Sequence, residues 1–170
     1  MVEAKKLREH AELTIESKPG IYKWWAEKSE LKIILDVLGI PLKDVEGGIE
    51  RKEGTNLYCI YVGQANSLED RLKGNHVNGR KKSTLRKSIG SVLFKKYGSK
   101  DIDKKINDFI DKLKIEYELI AQEKLHDEEK EKIGTKYLRI FNSQLNKCQQ
   151  RIDYGITRKL ADLRKEFEKK

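Results

Sequence analysis

The chain has 170 residues, a formal net charge of +9, and 37% hydrophobic against 38% charged residues. This length suits one domain with a real core, and no apolar run approaches the roughly 20 residues of a membrane-spanning helix. The N-terminal Met1-Val2-Glu3-Ala4-Lys5-Lys6 has no apolar signal region, and Cys59 and Cys148 cannot build a disulfide framework. A reduced, cytoplasmic protein with no membrane partner is therefore expected.

In chain order, residues 3–17 carry Leu7, Ala11 and Ile15 at helical spacing, and Lys18-Pro19-Gly20 ends that helix. Gly20 to Trp25 reads as a strand, with one tryptophan expected in the core and the other at the surface. Ser29 is placed to cap a helix whose Leu31, Ile34, Leu35 and Leu38 share a face, stopped by Gly39 and Pro41. Residues 42–56 look like a loop or ragged hairpin. Leu57 to Val62 is the strongest strand signal. A short helix over 67–73 and a polar loop follow, and then Ser83 caps a helix with Leu85, Ile89, Val92 and Leu93 inward. Asp101 starts another helix, with Ile102, Ile106, Phe109 and Ile110 on its face. Residues 115–119 alternate as a half-buried strand. Residues 127–141 read as a helix burying Ile133, Tyr137, Ile140 and Phe141, and 155–169 as a helix striped by Ile156, Leu160, Leu163 and Phe167. The expected fold is a single α+β domain over 1–170, with a small antiparallel sheet of about three strands flanked by helices.

The excess charge is concentrated. Arg71 to Lys100 holds ten basic residues and no Asp or Glu, while the rest of the chain carries 27 basic and 28 acidic side chains. Such a segment is expected to face phosphates, with Lys73, Arg80, Lys81, Lys82, Arg86 and Lys87 as its DNA contacts.

Two strand-borne motifs, Gly20-Ile21-Tyr22 and Tyr61-Val62-Gly63, are followed by Arg71 ten residues after Tyr61. Here the chain resembles the GIY-YIG nuclease family, over roughly residues 18–147. His76 and the Ser83–Ser88 stretch resemble a stand-alone branch of it. The 38 residues between the two tyrosines exceed the family's usual short hairpin, so residues 26–56 read as an insertion at its tip.

The resemblance implies a divalent-metal-dependent DNA endonuclease using Mg²⁺ or Mn²⁺. Tyr22 and Tyr61 would activate or orient water, Arg71 would bind the phosphate, and His76 would assist as a phosphate contact or proton shuttle. The family also needs a metal-binding Glu on a later helix and an Asn about twelve residues on. Asn146 suits the Asn, but Gly134 stands twelve residues before it. Glu131 is the expected metal ligand, with Glu128 next. A binding module of the same fold that lost cleavage is the alternative, and a protein–protein module is a third reading. The C-terminal helix is a candidate dimer contact, with the oligomeric state left open.

Overall fold

The strands bearing the two tyrosine motifs lie side by side, and the other elements are arranged around them. The structure, a computed structural model, describes residues 1–10, 12–79, 83–133, 136–142 and 154–169. Its elements are β1 (Val2–Glu3), α1 (Ala4–Glu9), β2 (Gly20–Glu27), α2 (Lys28–Leu38), α3 (Leu42–Val45) and β3 (Leu57–Ala65). There follow a π-helix (Asp70–Val77), α4 (Thr84–Tyr97), α5 (Ile102–Asp111), β4 (Lys114–Leu119), α6 (Leu125–Ile133) and α7 (Ile156–Glu168).

The sheet is antiparallel and four-stranded, in the order β1-β4-β2-β3. The unexpected fourth strand is Val2–Glu3, which pairs with Ile115 and Lys114. Two residues are too few to show a strand period. The main core lies on the sheet face that carries Tyr22, Trp24 and Ala26, where α2, α4, α5 and α7 supply most of the apolar cover. A smaller core on the opposite face joins Ile21, Trp25, Cys59 and Val62 to Leu125 and Ile133 of α6. Both tryptophans are therefore buried, on opposite faces, which corrects the expectation of one surface residue. Trp25 is also roofed by Lys23 and Lys52, whose ammonium groups lie 5.6 and 5.4 Å from its ring.

One irregularity in β3 decides which side chains share a face. Trp24 pairs with Tyr61 but Trp25 pairs with Cys59, so the register slips by one residue and Ile60 is the extra residue of a β-bulge. Leu57 and Cys59 point to the smaller core and Tyr58 and Ile60 to the main one. After the bulge Tyr61 joins the main face and Val62 the smaller one. Strict alternation would have put Tyr61 on the face away from Tyr22.

Three predicted helices differ in extent. The first stops at Glu9, because the chain beyond spends backbone carbonyls on the π-helix region. Leu13 accepts from Lys73 Nζ at 3.2 Å and Lys18 accepts from the Leu68 N–H at 3.0 Å. The second starts two residues early, with Glu27 at its N-cap, and Ser29 Oγ donates to Glu30 instead of capping. The third, predicted over 127–141, stops at Ile133. Residues 138–142 leave the helix and run along the outer edge of β3, which explains why Ile140 and Phe141 are buried without a helical stripe.

That edge segment is anchored by charge. Arg139 is 1% exposed, and its Nη2 lies 2.5 Å from Glu50 Oε2. Glu50 also takes Lys23 Nζ at 2.8 Å. Burial alone would raise the Glu50 pKa, but the Lys23 hydrogen bond and the Arg139 charge outweigh it and hold the carboxyl below the ordinary range. Glu50→Gln leaves the buried guanidinium without its anion and should cost about 3 kcal/mol in urea unfolding at pH 7. A depressed carboxyl pKa stabilises above the unfolded value and fades as pH falls through the carboxylate range. The gap between wild type and variant should therefore narrow between pH 6 and 3. A loss below about 1 kcal/mol would mean that the pair does not anchor the segment.

Candidate active site

The bulge sets Tyr22 and Tyr61 side by side, with ring centroids 6.2 Å apart. The glycines of both motifs are required by this packing. A Cβ on Gly63 would sit 2.5 Å from Tyr22 Oη and 2.6 Å from its Cζ. One on Gly20 would collide with the Glu118 carbonyl and lie 2.6 Å from Leu68 Cδ1.

Arg71 and His76 come from the π-helix. Its wider turn, with the Asn78 N–H donating to Lys73 O at 3.1 Å, brings residues five apart onto one side. Both side chains thereby meet the same phenol. Arg71 Nε donates to Tyr22 Oη at 3.3 Å, and His76 Nε2 lies 2.9 Å from that oxygen. On its far side His76 Nδ1 is 2.6 Å from Ser83 Oγ, which also accepts the Arg86 N–H at 3.0 Å and so caps α4 as predicted. His76 is fully buried, and the ring lies edge-on to Trp24 and Tyr61 as well as Tyr22. Burial, then the charges of Arg71 and Arg86, push its pKa down to about 3. It is a buried side chain of the π-helix, not the loop residue expected.

The phenols open on a cleft of about 560 Å³, lined also by Gln64, Asn66, Ser67, Asp70, Arg71, Asn75 and Glu129. Burial raises the Tyr22 pKa well above the ordinary tyrosine value and raises that of Tyr61 too, while Arg71 pulls both down. Glu129 reaches the cleft from α6, near the backbone N–H of Gln64 on β3, which acts to lower its pKa. Burial nevertheless leaves its pKa above the usual carboxylate range, with Gln64, His126 and Arg71 only partly offsetting.

The acid expected here was a different one. Glu131 is exposed and Glu128 half-buried, and neither lines the cleft. Two residues further along a helix turn a side chain by about 200°, onto the far side. A second asparagine, Asn142, is held at the edge of β3. Asn142 Oδ1 accepts the Val62 N–H at 2.8 Å and its Nδ2 donates to the Val62 carbonyl at 2.6 Å. Asn142 lies thirteen residues after Glu129, close to the spacing sought. Asn146 lies outside the described residues.

A family model described as the GIY-YIG catalytic domain matches residues 20–166. The chain belongs to the GIY-YIG family. No curated protein and no solved structure matches it. The family model spans β2 to α7, so it includes the stretch between the tyrosine motifs and nearly all of the C-terminal helix.

Within this GIY-YIG domain four described residues of the basic segment have partners in the fold. Lys73 donates to the Leu13 carbonyl. Arg86 binds the His76 and Val77 carbonyls and Asn107 Oδ1, at 3.4, 3.2 and 2.5 Å. Lys87 pairs with Glu168, and Lys95 with Glu166 at 3.2 Å. Charge counted along the chain could not anticipate that α7 would bring acids to α4. Arg80, Lys81 and Lys82 lie outside the described residues. Among the described residues no helix is long and apolar enough to cross a membrane.

Neither Glu129 in the cleft nor Asn142 on the β3 edge stood out in the sequence. The only usable signal was the family spacing, since both pairings, 129 with 142 and 131 with 146, come close to it. The steric reading of Gly63 can be tested directly. Gly63→Ala should lower stability by about 1–3 kcal/mol through overpacking against Tyr22. Gly47→Ala, which meets nothing within 4 Å, should stay within about 0.5 kcal/mol of wild type. Equal effects in chemical denaturation would show that Tyr22 does not need that space.

Proposed function

We propose that this GIY-YIG protein is a divalent-metal-dependent DNA endonuclease that hydrolyses phosphodiester bonds. The observation that carries this reading is a single cleft holding Arg71 and the desolvated Glu129 carboxylate beside two tyrosines.

The donor set suits Mg²⁺ or Mn²⁺. Among the described residues no group of three or more His, Cys, Asp or Glu gathers, so a softer, all-protein metal cage is not what the cleft offers. Hard oxygens surround it instead, and Mg²⁺ is commonly held by one or two carboxylates with water and substrate phosphate. Glu129 is the residue that would hold the ion, and its raised pKa marks a carboxylate lacking a full counter-charge. When bound, the cation supplies charge stabilisation for the phosphoryl oxygens and the leaving oxygen.

The remaining work falls to this chain's own groups. Arg71, half-buried beside Tyr22, presents its guanidinium to a phosphate oxygen. Tyr22 and Tyr61 orient the attacking water, and both are protonated in the free protein at neutral pH because burial raises them. Asn142 and Phe141 hold β3 in place and touch no reacting atom. The reading of an inactive binding module rested on Gly134 occupying the expected acid position, and Glu129 removes that support.

Nicking of supercoiled plasmid tests the proposal. Wild type should cut with Mg²⁺ or Mn²⁺ and stop with chelator. Glu129→Gln should lose about a hundredfold or more, while Glu131→Gln and Glu128→Gln retain most activity. A wild type that never cuts, or an unimpaired Glu129→Gln, overturns it. The pH–rate profile should also show no inflection near 6.5, since His76 stays neutral down to about 3. The rate should climb from pH 7 towards 9, because any phenol acting as base starts protonated.

A further inference from the structure

We infer that Ser83 is a positioning residue that fixes His76 as the Nε2–H tautomer, so that Tyr22 receives two N–H donors and keeps its own hydroxyl proton for the cleft. The inference rests on the cleft being the active site, but its first test does not require cleavage.

The argument is a count of protons in a closed chain of hydrogen bonds. His76 is fully buried and neutral, so its ring has one N–H and one lone pair. Its two nitrogens face two hydroxyls, Tyr22 Oη at 2.9 Å and Ser83 Oγ at 2.6 Å. Ser83 is 7% exposed, and among the described residues the only hydrogen-bond partners of its Oγ are His76 Nδ1 and the Arg86 N–H.

If Nδ1 carried the proton, Ser83 Oγ would accept from both His76 and Arg86, and its own buried hydroxyl proton would have no acceptor among these groups. Stranding a buried donor is unfavourable. With the proton on Nε2, every group is used. Arg86 N–H donates to Ser83 Oγ, Ser83 O–H donates to Nδ1, and Nε2–H donates to Tyr22 Oη.

Tyr22 then takes one N–H from His76 and one from Arg71 Nε at 3.3 Å. Both lone pairs of its oxygen are engaged, so its hydroxyl hydrogen points away from them, towards the cleft and Tyr61. Those donors also favour the phenolate over the phenol and oppose the cost of burial. The N-cap of α4 thus sets the hydrogen-bond polarity of the tyrosine in the first motif. This joins the turn before α4 to the chemistry without Ser83 touching substrate.

The test is ¹⁵N NMR of the histidine rings in the full-length protein, without DNA or metal. His76 should show a protonated Nε2 and an unprotonated Nδ1. A protonated Nδ1 in wild type overturns the inference whether or not the protein cuts DNA. Ser83→Ala should shift the population towards Nδ1–H, and Ser83→Thr, which keeps the hydroxyl and the cap, should restore the wild-type pattern. An unchanged tautomer in Ser83→Ala would show that Ser83 does not set it. In plasmid cleavage Ser83→Ala should lower kcat roughly tenfold or more with KM for DNA unchanged, and Ser83→Thr should recover. If the NMR result holds while no protein cleaves, the nuclease reading fails and the tautomer assignment stands.

Discussion

The outer edge of β3 is the constraint on which the rest of the site depends. It is the last strand of the sheet, and a buried edge must find partners for its outward N–H and C=O groups or lose about 1–3 kcal/mol for each one stranded. The partners arrive in order along the strand. Glu50 O accepts from Cys59 N, Phe141 N donates to Ile60 O, and the Asn142 amide brackets Val62. Satisfying the edge therefore docks the chain after α6 and helps hold α6, whose Glu129 lines the cleft with Arg71.

Two local irregularities complete the arrangement. The bulge at Ile60 moves Tyr61 onto the Tyr22 face, and the π-helix turns Arg71 and His76 towards the Tyr22 hydroxyl together. Each breaks a regular ladder, which is unfavourable locally and is offset by burial of the surrounding apolar side chains. Gly63 provides the room in which the Tyr22 ring lies. With regular β and α geometry the same residues would face apart.

These irregularities also explain what could be read from the sequence. Tyr22, Tyr61 and Arg71 were legible because short motifs carry them at a fixed offset. The face of Tyr61 was not, since Leu57 to Val62 is apolar without alternation and shows no period to slip. Helices with clear apolar stripes, α2, α4, α5 and α7, emerged close to their expected spans. The stretch after Ile133 did not, because Tyr137, Ile140 and Phe141 mimic helical spacing while packing along a strand edge. Glu129 sits among Asp127, Glu128 and Glu131, and only its place in the folded cleft distinguishes it. The ion pairs of the basic segment were hidden in a related way, for Glu166 and Glu168 lie more than sixty residues away and meet its lysines only in the fold.

The central claim is that the β3 edge delivers Glu129, and no other acid of α6, to the tyrosine cleft. Crystals soaked in Mn²⁺ and measured for anomalous scattering test it most directly. The account predicts a manganese peak about 2.0–2.3 Å from a Glu129 carboxylate oxygen, inside the cleft formed with Tyr22, Tyr61 and Arg71. A peak on Glu131 or Glu128, with Glu129 turned away, would contradict it.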